Sequence, residues 1–187
     1  MTNIGCSNCH GREGRFGRPK LYKIGTEMGV VISGNRKGKT TAEKLGAQYK
    51  AHHGPIWSLQ RNPAFLKNFL TVGDWTARIW SEDCRESAII WTSYQNRKLT
   101  KGAWSPTKPS VFFTTRVDGT LDVWDILQRQ RDSCLNIKIC DEPLHGLRCH
   151  ESGEMVGVGN DIGTTYIIEI SDNFVKTTKN DKAYLTS

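Results

Sequence analysis

The sequence predicts an all-β fold: part of a β-propeller, about three to four blades of four antiparallel strands each, open and not closed on itself. Two observations predict it. Trp80 and Trp124 stand 44 residues apart, closing Thr71-Val-Gly-Asp-Trp-Thr-Ala-Arg-Ile-Trp80 and Thr115-Arg-Val-Asp-Gly-Thr-Leu-Asp-Val-Trp124, each with Thr, Asp three residues on and Trp six residues further. Around these runs recur short segments rich in β-branched and aromatic residues, bounded by Gly, Pro, Asn or Asp. Four strand-like segments in a period of roughly 40 to 45 residues are the pattern of a propeller blade.

The elements follow in order. Residues 1–19 are rich in Gly and Arg, have little to bury, and are expected to form a flexible basic lead-in. A partial blade covers 20–50, where Gly25-Thr-Glu-Met-Gly-Val-Val-Ile32 has a turn followed by an apolar strand, with Gly29 at the place of Gly119. The blade at 51–95 uses Pro55-Ile-Trp-Ser-Leu59, Asn68-Phe-Leu-Thr-Val72, the strand ending at Trp80, and Ser87-Ala-Ile-Ile-Trp91. The blade at 96–140 uses Lys101-Gly-Ala-Trp-Ser105, Ser110-Val-Phe-Phe-Thr-Thr115, the strand ending at Trp124, and Leu135-Asn-Ile-Lys-Ile139. At 141–178 come Leu144-His-Gly-Leu147, Glu154-Met-Val-Gly-Val158 and Gly163-Thr-Thr-Tyr-Ile-Ile168, and a further step of 44 lands on Ile168, so this copy has lost its Trp. The propeller as a whole covers 20–182, and 183–187 form a tail.

A blade explains the fixed spacings. An Asp in the tight turn accepts bonds from backbone amides and a His, while a Trp at the end of the third strand fills the gap between sheets and donates its indole N–H. The first full copy is expected to build this network from His53, Thr71, Asp74 and Trp80. The second keeps Thr115, Asp118 and Trp124, with Thr100 in place of His, and the third retains none of it. Such buried networks are scaffold and not catalysis.

His53-Gly-Pro-Ile-Trp-Ser-Leu-Gln-Arg-Asn-Pro63, the run from Lys67 to Asp83, Trp104-Ser-Pro106, Val111-Phe-Phe-Thr-Thr-Arg116 and Asp118-Gly-Thr-Leu-Asp-Val-Trp-Asp125 together resemble the WD-repeat dynein intermediate chain family, in its axonemal outer-arm branch. The resemblance runs from about Lys20 to about Lys182 and is most specific over Gly54–Asp125. It implies a partial WD40 propeller, the C-terminal half of a seven-bladed one. It also implies a non-enzymatic scaffold that docks a dynein heavy chain and a second intermediate chain for ciliary and flagellar movement, located in the cytoplasm, the cytoskeleton and the axoneme. The family's light-chain contacts lie outside the propeller and do not carry over. A generic WD40 adaptor in another complex and a nucleotide-binding protein are the rival readings.

Charge supports a protein partner over nucleic acid. Residues 1–50 hold ten Lys/Arg and three Asp/Glu, whereas 51–187 hold sixteen of each, so the formal net charge of +7 sits at one end. A nucleic-acid-binding body spreads basic residues over a face, so none is expected here. No apolar run approaches the roughly 20 residues of a membrane helix, no secretory signal opens the sequence, and the six Cys are expected to be thiols of a reducing compartment.

Three motifs invite other readings. Cys6-Ser-Asn-Cys-His10 has the haem-attachment spacing but no second ligand and no exporting context, so neither haem nor zinc is expected. Gly34-Asn-Arg-Lys-Gly-Lys-Thr40 is one residue short of a phosphate-binding loop, because Ser33 stands where its first Gly belongs. It reads as a solvated loop whose Lys37 and Lys39, with Lys44 beyond, can meet an acidic partner. Trp75 occupies the turn position of Gly119 and is expected at the rim as a partner anchor, while Trp57, Trp91 and Trp104 are expected in the core.

No cofactor, metal or catalytic residue is expected, and an open stack leaves an apolar blade face at each end. Deletion of residues 1–19 is expected to leave the melting transition in place. Purified protein is expected to carry neither stoichiometric zinc by elemental analysis nor a Soret band.

Overall fold

The computed structural model describes residues 21–93, 95–177 and 181. The lead-in at 1–19 with Cys6, Cys9 and His10, and the tail at 183–187, lie outside the described residues. The chain opens with β1 (Leu21–Gly25), β2 (Val30–Asn35), the single-turn helix α1 (Thr41–Lys44) and β3 (Leu45–Lys50). β4 (Ile56–Arg61), β5 (Asn68–Gly73), β6 (Thr76–Ser81) and β7 (Ile90–Trp91) follow. Then come β8 (Leu99–Trp104), β9 (Val111–Arg116), β10 (Thr120–Asp125) and β11 (Leu135–Lys138). Last are β12 (Leu144–Cys149), β13 (Met155–Asn160), β14 (Thr165–Glu169) and the single turn α2 (Asp172–Val175).

These strands form four antiparallel meanders, β1-β2-β3, β4-β5-β6-β7, β8-β9-β10-β11 and β12-β13-β14. The all-β, open, partial propeller expected from the repeat is what the chain adopts, with one correction. Among the described residues only the two middle sheets have four strands. After β14 the chain turns into α2, whose Phe174 and Val175 pack on the cluster between the third and fourth sheets. Buried Lys108 fixes that turn, donating to Asp125 at 2.9 Å and to the Asn173 carbonyl at 3.0 Å.

Side chains alternate across a strand, so each middle sheet feeds two junctions. Phe69 of β5 packs toward the first sheet with Tyr49 and Trp80, while Leu70 and Val72 pack toward the third with Trp104, Phe112 and Trp124. Val111 and Phe113 face the fourth sheet with Val156 and Val158. Every residue of β10 is buried as a result. The inner strands are also linked directly: the Ser58 hydroxyl donates to the Gly102 carbonyl at 2.8 Å, and the Gln60 side-chain oxygen accepts the Trp104 N–H at 2.7 Å.

The register is set by aromatic cross-strand pairs. Phe69 lies opposite Trp80 and Phe112 opposite Trp124, with stacked rings whose centroids are 6.2 and 5.5 Å apart. The turn between them differs in length: Asp74 and Trp75 alone join β5 to β6, whereas 117–119 join β9 to β10. In the three-residue turn Gly119 has φ +79°, and its carbonyl accepts the N–H groups of Ile139 and Cys140. A methyl group there would lie 1.9 Å from the Cys140 carbonyl oxygen.

Gly119→Ala is therefore expected to cost more than the about 1–2 kcal/mol of a left-handed non-glycine residue. Gly163→Ala, at φ +91° with nothing near the new methyl, is expected to cost only that strain. Paired urea denaturation curves measure the difference.

Candidate functional site

The first polar network lies at the junction of the first and second sheets. The Thr71 hydroxyl oxygen accepts the Trp80 indole N–H at 3.0 Å and lies 2.9 Å from His52 Nε2. The Thr71 hydroxyl can also donate to the Arg78 carbonyl oxygen at 3.5 Å, and the other ring nitrogen, His52 Nδ1, lies 3.4 Å from Asp74 Oδ2. Asp74, at φ +54°, also accepts the His53 backbone N–H at 3.0 Å. The expected His53 is thus corrected to His52. Consecutive side chains in extended chain point opposite ways, so the His52 ring is buried and the His53 side chain is exposed. Burial, and after it the charge of Arg78, pushes the His52 imidazole down to about 4 against the opposing pull of Asp74, so the ring is neutral at pH 7.

The second network is built from other residues than the expected Thr115 and Asp118. Trp124 donates to Thr114 Oγ1 at 2.9 Å, and that hydroxyl donates to Asp122 Oδ2 at 3.3 Å. Arg116 grips Asp122 through Nε and a terminal nitrogen, both at 2.6 Å, and passes a further bond to Gln95 Oε1 at 3.0 Å, while Asn136 donates to the same carboxylate. The longer turn shifts the count back from Trp by one, so Thr114 is the counterpart of Thr71. Thr115 points to the opposite face and pairs with Thr100 at 2.8 Å, and Asp118 accepts the Thr120 N–H within its own turn. Burial raises the Asp122 carboxyl, and Arg116, Asn136 and Thr114 offset only part of that rise. In the fourth sheet Val158 pairs with Tyr166 at the matching positions. The signal for this network in the sequence is Asp122 itself, a carboxylate inside the apolar strand Leu121-Asp-Val-Trp124.

The surface residues fall in separate places. Lys37, Lys39 and Lys44 are exposed on the β2–β3 connection. There the Thr40 hydroxyl caps α1 by accepting the Glu43 N–H, and the Glu43 carboxylate accepts the Lys39 N–H at 2.7 Å. Glu43 thus puts a carboxylate where a phosphate-binding loop would receive phosphate. Trp75 is half-buried, with the Lys98 ammonium 5.4 Å from its ring centre. Trp104 is buried as expected, but Trp57 and Trp91 are corrected to the surface, 53% and 48% exposed. Trp91 lies on the outermost strand of its sheet, carries the Arg131 guanidinium over its ring, and borders a cleft of about 310 Å³ with Lys50, Arg78 and Glu86. Among the described residues no group of three or more His, Cys, Asp or Glu is placed to hold a metal ion, and no helix is long and apolar enough to cross a membrane.

A family profile, the dynein axonemal intermediate chain 3 WD40 domain, matches residues 20–170, which takes in all four sheets. The chain belongs to the axonemal dynein intermediate chain family. It is similar to dynein axonemal intermediate chain 2 of Mus musculus, 53% identical over 169 residues, or 90% of this chain and 27% of that protein. Likeness to dynein intermediate chain 3, ciliary, of Heliocidaris crassispina is also 53%, covering 90% of this chain and 28% of that one. The 70 kDa intermediate chain of the flagellar outer arm dynein of Chlamydomonas reinhardtii is 38% identical over 170 residues, covering 90% and 30%. The chain therefore spans under a third of the length of these curated relatives.

The buried His52 makes the stability of this family member pH-dependent. Its folded value of about 4 lies below the ordinary 6.5, so between these limits the unfolded chain binds the extra proton and stability falls as pH falls. The loss from pH 7 to pH 5 is expected to be about 2 kcal/mol. His52→Gln is expected to remove that part of the slope and His53→Gln to keep it, measured by denaturation at the two pH values.

Proposed function

We propose that this chain is the platform region of a non-enzymatic scaffold subunit of outer-arm axonemal dynein, docking the dynein heavy chain and a companion intermediate chain in cilia and flagella. The observation that carries the reading is the 53% identity, over 90% of the chain, to proteins named as axonemal and ciliary dynein intermediate chains. The flagellar outer-arm relative supports the same assignment at 38%. The geometry suits docking rather than turnover. Its polar networks are buried between sheets, while Trp57, Trp75 and Trp91 offer aromatic surface beside cations, the make-up of protein-binding hot spots.

Immunoprecipitation of the tagged chain from ciliated cells is expected to bring down an axonemal heavy chain and a second intermediate chain. Trp91→Ala is expected to reduce that recovery roughly tenfold, the size of a hot-spot loss, with no change in melting. Recovery of a stable complex that lacks axonemal heavy chain would overturn the reading.

A further inference from the structure

At the outer edge of the junction between the first and second sheets a half-buried cation opens on a cleft without an anion beside it. Arg78 of β6 lies opposite Trp91 of β7 in the strand register and, by alternation, faces the first sheet as Trp80 does. Its Nε donates to the Thr76 hydroxyl at 3.4 Å, and among the described residues no carboxylate is within ion-pair reach of its guanidinium. It lines the cleft of about 310 Å³ with Lys50 of β3, Trp80, Glu86, Ser87 and Trp91.

The next junction meets the same position differently. The counterpart of Arg78 in the third sheet is Asp122, opposite Thr114 and Asn136 as Arg78 is opposite Thr71 and Trp91. Asp122 is answered within the chain by Arg116 and Asn136. Ser93 then closes the outer edge, donating to Asp132 at 2.8 Å and to the Arg131 carbonyl at 3.0 Å. Between the first and second sheets neither device is present among the described residues: Arg78 has no counter-charge, and no hydrogen bond joins β3 to β7. An anion arriving from outside therefore gains an ion pair with Arg78 without first breaking one.

The lining sets the class of ligand. Lys50 is exposed at the cleft, and the Arg131 guanidinium stands 5.4 Å from the centre of the Trp91 ring, so three cations face one carboxylate, Glu86. That field favours an anion. The other wall is apolar, made by Trp80, Ala88 and Trp91. A bare phosphate leaves that wall uncovered, whereas a peptide brings a carboxylate and an apolar side chain together. At the low end of the roughly 300–1,000 Å³ of ligand pockets, the cleft takes side chains of a segment and not a whole folded element.

We propose that the cleft between β3 and β7 docks an acidic peptide segment of a protein partner, with an Asp or Glu carboxylate of that segment on Arg78 and Lys50 and an adjacent apolar side chain on Trp91. The proposal rests on the reading of Trp91 as a docking residue and names the chemistry of what docks there. The cleft lies at an internal junction, so it does not depend on what covers the outer faces of the first and fourth sheets.

NMR titration of the full 187-residue chain, labelled with nitrogen-15, tests this. The probe is an acetylated peptide of alternating Glu and Leu, and the control is the same peptide with Gln in place of Glu. The Trp91 indole signal is identified by its loss in Trp91→Phe. A saturable shift of that signal is expected with the Glu peptide, with roughly tenfold weaker binding of the Gln peptide. Arg78→Gln is expected to weaken the Glu peptide by a similar factor, Lys50→Gln roughly threefold, and Glu86→Gln to strengthen it. Lys50 is exposed, so Lys50→Gln carries the test if Arg78→Gln does not melt cooperatively. Equal binding of the two peptides, unchanged binding by Lys50→Gln, or displacement of the Glu peptide by an equal concentration of inorganic phosphate would rule the proposal out. Only the chain and the peptide are present, so a failure here leaves the immunoprecipitation outcome standing, and a complex without axonemal heavy chain does not move this titration.

Discussion

A strand with apolar side chains on both faces has no stable place in water unless something packs on each side of it, and β5, β9 and β10 are strands of that kind. The junction between the second and third sheets alone buries Leu70, Val72, Ile79, Leu99, Trp104, Phe112 and Trp124. At about 1.5–3 kcal/mol for each large side chain fully buried, parting those two sheets would cost on the order of the entire stability of a typical domain, about 5–15 kcal/mol. The sheets therefore hold or fail together. Every other feature of the molecule is arranged within that stack.

The charged groups inside the stack answer one another, whereas Trp104 Nε1, Ser110 Oγ and Asn160 Nδ2 are buried without a hydrogen-bond partner. Arg78 lies opposite Thr71 in one sheet and Asp122 opposite Thr114 in the next, so the same cross-strand position carries opposite charge in neighbouring blades. The first blade meets this with a neutral His52 between Thr71 and Asp74, and the second with an Arg116 fork on a buried carboxylate. Glu82 is a third case: burial pushes its carboxyl up, but the bonds and charges of Lys23 and Arg61 outweigh that and hold it below its ordinary value. A buried charge left alone is costly, which explains why each has its partner in place. The backbone plan is constant across blades while the chemistry that locks it varies.

A frame of this kind presents surface without flexing. The inner strands are tied to one another across blades through Ser58–Gly102 and Gln60–Trp104, and at the outer edge Ser93 bonds Arg131 and Asp132 of the next blade beside Trp91. Exposure of a large aromatic on a rigid support makes for binding energy with little ordering cost.

The repeat of 44 residues, the strand positions and the turn glycines were legible in the amino-acid order because each reflects a local rule: alternation, β-branched content, and a φ that only glycine adopts easily. Trp80, Thr71 and Asp74 could be singled out on the same grounds. Which of two adjacent histidines enters the core could not, because His52 and His53 differ by the direction of one residue in an extended chain, and that direction is set by the sheet against which the chain is laid. The choice of Thr114 over Thr115 rested on one added residue in a turn, which spacing alone cannot assign to the turn or to a strand. Trp57 and Trp91 look like core residues by type, and only the neighbouring sheet decides whether a side chain on an innermost or outermost strand is covered. The sequence by itself determined the blade as a unit. The tertiary structure decided which side chains meet between blades, because burial and partnership at a junction belong to two sheets at once.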